Sequence, residues 1–521
     1  MREIRHRRIF HRSRAKEQDV GIPGYLDLDD LHRRFPSTFS KDQIARAQTV
    51  FLKKISVATH AFYGGKLQVV PKAGLYGFGW FGVWYTPGVS AVSTAIRENP
   101  RRSYELSSRG QLVAVVSDST RVLGDGDCTP SGGLGVMEGK AFLMYYLGGI
   151  SAVPLCVNTH TYRDCHRPDC PFDHRKPHDH SPEKLIEFVR MAAPSFGAVN
   201  LEDIEQPNCF AVLDRLQDCG IPVWHDDAQG TACVTLAGMI NALKITGRNW
   251  HNARFVFYGA GASNTTIVRL MLADGLDPKN VIVFDSKGGL HAGRDDIKRD
   301  LRFYRKWEIC QATNPRKIDR IEEAMNGADV LVALSQSGPG VVPKSWIERM
   351  NRRAIVFACA NPVPEIYPHE AKEAGAEIVA TGRSDFPNQV NNSLGFPGIL
   401  KGVLLANATR ISDSMAIAAA RCLARVKEEK GLDGEHIVPT MDDVEIYPRQ
   451  AADVAMQAVR EGLAQRTLSY DEVYRKAESD ILAARKTVQT LMDSGLIQPP
   501  PADLIEKALR ETIAEIEAQG R

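Results

Sequence analysis

The run Arg254-Phe255-Val256-Phe257-Tyr258-Gly259-Ala260-Gly261-Ala262-Ser263-Asn264 constrains this chain more than any other stretch. A buried apolar strand that enters a glycine turn and opens a helix begins a βαβ unit of a parallel sheet. Gly259 permits the tight turn, and Gly261 lets the backbone approach a pyrophosphate held by amides at the helix N-terminus. Asn264 stands where a third glycine would ease helix packing. The next strand, Val281-Ile282-Val283-Phe284, ends at Asp285. A carboxylate there suits the adenosine ribose hydroxyls and would repel a 2′-phosphate, which favours NAD, while Lys287 and Arg294 keep NADP open. Apolar strands at 330–334, 354–358 and 377–380 continue the alternation, so the second half of the chain reads as a Rossmann-like α/β domain.

Upstream of this unit, Glu202-Asp203 and His225-Asp226-Asp227 follow short apolar stretches. Neighbouring side chains on a regular strand point to opposite faces, so two adjacent carboxylates can share one ion only at a strand end or bend. Such ends form the carboxyl edge of a sheet, where α/β domains bind their ligands. A cluster of oxygens suits a hard divalent cation such as Mg²⁺ or Mn²⁺. For any one of these residues solvation or helix capping is the ordinary role; two acidic pairs beside a nucleotide turn weaken that reading.

The 521 residues carry 65 basic and 63 acidic side chains, a net +2 that offers no global field for nucleic acid or anionic membrane. No run of about 18 apolar residues is present to span a bilayer, and the basic opening Arg2–Arg8 lacks the apolar core of a signal peptide. Ten scattered cysteines fit a reducing compartment, so a cytoplasmic protein is expected. Organisation is read as an extension over 1–45, an α/β substrate and metal domain over 46–232, the nucleotide domain over 233–400, a helical part of the core over 401–466 and a helical extension over 467–521. Within this scheme a helix starts at Lys41, a strand is expected at Lys66–Val70 and another at Leu112–Val116, and helices are expected at 233–246, 401–429, 448–465, 471–494 and 502–518.

From Gly65 to about residue 466 the chain resembles the malic enzymes, the oxidative decarboxylases of malate. The resemblance is carried by Tyr85-Thr86-Pro87-Gly88-Val89, Arg121-Val122-Leu123-Gly124, Met137-Glu138-Gly139-Lys140, Asn200-Leu201-Glu202-Asp203, His225-Asp226-Asp227, Gly259-Ala260-Gly261, Asn361-Pro362, Thr381-Gly382-Arg383-Ser384-Asp385 and Asn391-Asn392-Ser393. It implies that Glu202, Asp203 and Asp227 bind the metal and that Asp226 sits beside Lys140. Lys140 would then be the base at the C2 hydroxyl, in a buried, cation-rich site that lowers its pKa. It further implies Tyr85 as the acid at C3, Arg121 on a substrate carboxylate, and Asn361 and Asn392 on substrate and nicotinamide. Gly259, Gly261, Ala262, Ser263, Asn264, Asp285 and Asn361 would form the cofactor site. The expected activity is metal- and NAD-dependent oxidative decarboxylation of malate to pyruvate and CO₂, in a homodimer or higher homo-oligomer. Redox-neutral conversion of malate to lactate, a related 2-hydroxy acid as substrate, and a non-catalytic metabolite-binding protein are the alternatives.

Two segments depart from that pattern. The stretch 157–180 is an insertion rich in cysteine and histidine, in which Cys165, Cys170, His174 and His178 could hold zinc, a polar surface loop being the plainer reading. Leu75–Trp84 holds three glycines among five aromatics and suggests a close-packed turn, with remodelling of the substrate pocket as the alternative.

Overall fold

The computed structural model describes residue 28 and residues 30–159, 181–383 and 385–519. The zinc option at Cys165, Cys170, His174 and His178 lies outside the described residues, as does the basic opening. The chain divides into two compact units, 1–66 with 491–521, and 67–490.

In the smaller unit, the helix Lys41–Tyr63 starts at a capping box made by Ser40 and Gln43 and stops at Gly64, which takes a left-handed φ of 68°. Its buried face, Ala47 and Phe51, clusters with Leu31 and Phe35 and with Ile505 and Leu509 of the helix Ala502–Gln519.

The larger unit is built on two parallel sheets. The first joins β1 (Leu112–Ser117), β2 (Ser151–Cys156), β3 (Ala198–Leu201) and β4 (Val223–His225) in the order β2-β1-β3-β4. The second joins β5 (Phe255–Tyr258), β6 (Val281–Asp285), the short β7 (Gly288–Gly289), β8 (Val330–Ala333), β9 (Ala354–Ala358) and β10 (Ala376–Thr381) in the order β10-β9-β8-β5-β6-β7. Only β7 runs antiparallel. In each sheet the chain leaves one strand and returns on its other side, beside β1 in the first and beside β5 in the second. Ligands of α/β proteins bind at such switch points, at the carboxyl ends of the strands. Those ends carry Glu202 and Asp203 after β3, Asp226 and Asp227 after β4, and Gly259 after β5. The helix Thr231–Thr246, buried almost throughout, leads from the first sheet to the second.

Several expectations are corrected. Lys66–Val70 forms no strand: the segment finds no partner strand among the described residues, and Val69 is fully exposed. Leu75–Trp84 is not close-packed, since none of its side chains is buried. The helix expected over 401–429 is two helices, Phe396–Ala406 and Asp413–Lys430. Asn407 closes the first in the left-handed conformation and Ser412 caps the second by accepting from the Met415 amide, so a division at residue 400 falls inside a helix. Helix 231–246 starts two residues earlier than expected, out of a π-helical turn over Asp226–Gly230.

Gly259 has φ +100°, and a Cβ there would lie 2.3 Å from the Leu334 carbonyl oxygen, whereas Gly261 faces open space. Gly259→Ala should therefore cost about 1–3 kcal/mol, and Gly261→Ala should stay within about 0.5 kcal/mol of the parent. Urea unfolding of the two variants side by side checks the contrast.

Candidate active site

Lys140 projects from the helix Leu134–Gly148 into a cluster of acidic groups at the carboxyl edge of the first sheet. Its Nζ bonds Asp226, lies 3.0 Å from Glu202 Oε1, and donates to Asn392 Oδ1 at 3.3 Å. The ammonium also sits 4.8 Å from the centre of the Phe396 ring. Glu202 is held on its other oxygen by Asn200 Nδ2 at 2.9 Å, and Asp226 by Trp224 Nε1 at 3.1 Å. Gly230 is required here, because a Cβ would fall 1.9 Å from Asp226 Oδ1.

Asp203 turns the chain with φ 53°, a left-handed conformation that a short polar side chain tolerates. Its amide donates to Asp227 Oδ2 at 2.7 Å, its carbonyl accepts from the Arg121 amide at 3.0 Å, and its Oδ1 accepts from the Leu123 amide at 3.4 Å. The bend thus brings the 121–124 loop and the 226–230 turn to one point. Glu202, Asp203 and Asp227 each offer an oxygen within 4.8 Å of the others. Asp203 Oδ2 is buried without a hydrogen-bond partner.

Burial is the dominant influence on these groups. It pushes Glu202 and Asp226 up from the ordinary carboxylate range, and with Asp227 nearby it carries Asp203 to about 8. Burial also holds His225 down, with neither ring nitrogen in a hydrogen bond and Nδ1 4.0 Å from Asp227 Oδ2. Lys140 does not follow the expected direction. Burial lowers it, but Asp226, Glu202 and Asp227 together outweigh that and raise it, because the surroundings are anionic rather than cation-rich. An all-oxygen donor set with a buried orphan oxygen and strained ionisation fits a hard divalent cation, which would satisfy all three conditions at once.

The glycine turn adjoins this cluster. Ser263 Oγ, at the start of the helix Ala262–Ala273, donates to the Asp227 carbonyl at 2.9 Å. Asn264 Nδ2 donates to the carbonyls of Tyr258 and Gly259 at 3.2 and 2.8 Å, tying the helix to the strand end where a third glycine was expected. Asp285 ends β6, and both its oxygens accept from Arg294, at 3.0 and 2.9 Å. Asn361 lies against Gly124 on one side and Gly382 on the other: a Cβ at either glycine would come 3.1 to 3.2 Å from its atoms. Arg121 reaches the cluster through its backbone and exposes its side chain.

The structure therefore gathers Lys140, Asp226, Glu202, Asp203, Asp227, Asn392 and Ser263, with Arg121 and Asn361 on adjoining loops. It leaves Tyr85 outside: the side chain is 71% exposed and makes no hydrogen bond, ion pair or ring contact with a described residue. Asn200, Trp224 and Arg294 take positions that sequence reasoning assigned to no such partners. Only the neighbourhood of Asn200 and Trp224 to the acidic pairs could have signalled them.

A dinucleotide turn at one switch point beside an oxygen-only cradle and a buried lysine at another define a nicotinamide-dependent oxidoreductase. The family models "Malic enzyme, N-terminal domain" and "Malic enzyme, NAD binding domain" match residues 79–217 and 228–460. A crystal structure of Entamoeba histolytica malic enzyme is similar with a TM-score of 0.88 and 55% identity, over 94% of this chain and 99% of that one. The bifunctional malic/malolactic enzyme of Bacillus subtilis is 38% identical over 82% of this chain and 97% of its own length. The NAD-dependent malic enzyme of Geobacillus stearothermophilus is 38% identical over 80% and 82%. The chain belongs to the malic enzyme family.

The elevated carboxyl of Asp203 sets a sign for stability. Its folded pKa, about 8, exceeds the ordinary 3.8, so its contribution is present at low pH and is lost as pH rises through about 8. In EDTA the protein should lose stability over that window. Mn²⁺ at about a hundredfold excess over its Kd should restore about 2.7 kcal/mol, with a larger gain at about pH 8 than at about pH 6, since protons and cation compete for the same oxygens. Thermal melts of the parent and of Asp203→Asn, which should lose the Mn²⁺ response, check this.

Proposed function

We propose that the protein catalyses the oxidative decarboxylation of malate to pyruvate and CO₂, using a nicotinamide dinucleotide and Mg²⁺ or Mn²⁺, as a homo-oligomer in the cytoplasm. The observation that carries this reading is Lys140 fixed between Asp226 and Glu202, beside the three-carboxylate cradle and next to the glycine turn. Free thiols at all eight described cysteines fit the reducing compartment. Among the described residues no helix is long and apolar enough to cross a membrane.

Glu202, Asp203 and Asp227 are the residues that would hold the divalent ion, which supplies positive charge to the C2 oxygen and to the negative charge left as CO₂ departs. The glycine turn at Gly259 and Gly261 and the helix start at Ser263 would hold the nicotinamide dinucleotide, which would supply the acceptor for the C2 hydride. Lys140 takes the C2 hydroxyl proton. Burial favours its neutral amine, and the opposing pull of the carboxylates falls when their charge is shared with a bound cation. Asp226 stays beside the resulting ammonium and holds it in place, itself oriented by Trp224. Asn392 positions the lysine from the second sheet's side of the site. Arg121, on the loop pinned to Asp203, takes a substrate carboxylate in this reading, and Asn361, which lies beside Gly124 of the same loop, contacts substrate and nicotinamide.

Cofactor choice turns on Asp285. Its carboxylate favours ribose hydroxyls and NAD, but Arg294 occupies both oxygens and offsets the charge that would repel a 2′-phosphate. NAD is the preferred cofactor in this reading, with NADP accepted. A second reading, redox-neutral formation of lactate, is supported by the bifunctional name of the Bacillus subtilis relative.

With malate, Mn²⁺ and NAD, the purified protein should produce NADH and pyruvate in equal amounts; lactate without net NADH would select the second reading, and neither product would end the first. Lys140→Ala should lower kcat by about a hundredfold or more with little change in NAD affinity by fluorescence titration. Arg294→Gln should free Asp285 and shift the ratio of kcat/KM for NAD over NADP upward by about tenfold.

A further inference from the structure

The helix Leu134–Gly148, which carries Lys140, ends at the glycine pair Gly148-Gly149, and cations from elsewhere in the chain take carbonyls at that end. An α-helix leaves its final four carbonyls without an intrahelical amide. Here Gly149 takes a left-handed φ of 58°, and the Gly149 and Ile150 amides return to the carbonyls of Tyr145 and Met144 at 3.1 Å each. The Tyr146 carbonyl accepts from Arg485 Nε at 2.9 Å, and the Gly149 carbonyl accepts from Lys401 Nζ at 3.3 Å. Positive charge at that end also complements the helix dipole.

Both cations lead to the helix Tyr470–Asp493. Arg485 belongs to it, and Lys401, 2% exposed, is paired with its Asp480 Oδ2 at 2.7 Å, while Asp480 Oδ1 is held by Lys476. That helix comes so close that a Cβ at Gly149 would lie 2.6 Å from the Asp480 carbonyl carbon. Its Val473, Ala477 and Ile481 join the same core cluster as Met137, Ala141 and Met144 of the Lys140 helix. Lys401 itself lies on the helix Phe396–Ala406, whose Pro397 carbonyl oxygen would come 3.1 Å from a Cβ at Gly148. At the start of that helix the Phe396 ring sits 4.8 Å from the Lys140 ammonium, and Asn392 just before it accepts from the same group. The two helices that meet at Lys140 are thus joined a second time roughly 14 Å further along, and the helix Tyr470–Asp493 pins that second junction.

We propose that the helix Tyr470–Asp493 is a positioning element of the active site, in which Lys401, Asp480 and Arg485 fix the Lys140 helix against the helix Phe396–Ala406 and so set where the Lys140 amine stands relative to Asp226 and Asn392. The element lies past residue 460, where the match to the family's NAD-binding domain model ends. Misplacing a reacting group by about 1 Å costs about a hundredfold in rate, so a stiff helix held at its far end is a lever on turnover. A buried ion pair is a poor device for stability alone, since apolar groups of similar volume serve a core as well. The proposal rests on the malate reading above, in which Lys140 takes the C2 hydroxyl proton.

Lys401→Met combined with Asp480→Leu replaces the pair by apolar groups, and this double variant should melt close to the parent. With malate, Mn²⁺ and NAD its kcat should fall by about tenfold, while KM for malate and the NAD Kd by fluorescence titration stay within about twofold. A kcat equal to the parent's overturns the proposal. Arg485→Met, which removes only the bond to the Tyr146 carbonyl, should lower kcat in the same direction and decides the question should the double variant unfold. A readout independent of turnover separates this from failure of the malate reading. Trp224 Nε1 bonds the Asp226 carboxylate that holds Lys140, and the chain has six tryptophans. In ¹⁵N-indole spectra of the full chain, the Trp224 signal, identified by its loss in Trp224→Phe, should move in both variants, while that of Trp346, in the core on the opposite face of the second sheet, keeps its place. An unmoved Trp224 signal overturns the proposal whether or not the parent oxidises malate. A parent that oxidises no malate ends that reading and leaves the Trp224 signal to decide the positioning role.

Discussion

The contact on which the rest of this molecule depends is the buried ammonium of Lys140 between Asp226 and Glu202. A charge taken out of water is costly unless its partners are fixed, and here they come from three places: the ends of β3 and β4 and, through Asn392, the start of the helical region behind the second sheet. The lysine therefore ties the first sheet to the second. Both carboxylates are fixed in turn, Asp226 by Trp224 and Glu202 by Asn200.

That excess of carboxylate over cation is also what would suit the site to a divalent ion. Three carboxylates converge because Asp203 adopts a left-handed bend and gives its amide to Asp227, so the backbone rather than the side chains sets their spacing. Without a cation, burial drives the acids toward their neutral forms and the carboxylates hold the lysine charged. A single change in local charge would move both: a cation among the carboxylates favours their ionised forms and weakens their hold on the charged lysine.

The nucleotide side repeats the theme of occupied polar groups. Asn264 spends its amide on the strand end, so the loss of a third glycine leaves the turn intact. Asp285, which looks like a free ribose ligand, is half of an ion pair with Arg294 nine residues further on. The pairing changes what the same carboxylate can refuse.

Much of this was legible in the sequence. Period and glycine placement located the strands of the second sheet, and the acidic pairs marked strand ends because adjacent side chains on a strand cannot share an ion. The break at Asn407–Ser412 was also legible, since asparagine ends helices and serine starts them, but the surrounding apolar periodicity masked it. What no local pattern could show was who faces whom. The direction of the shift at Lys140 is a sum over three carboxylates from two strands, and the occupation of Asp285 depends on a side chain folded back by the β6–β7 hairpin. The segment over 67–98 is the sharpest case. Its residues read as a strand and a packed aromatic turn, and both readings need a surface to pack on, which the described residues do not supply. Chemistry-bearing residues are set by the sequence because their types are irreplaceable; their partners and charge states are decided by tertiary structure, because burial and distance act across the fold and not along the chain.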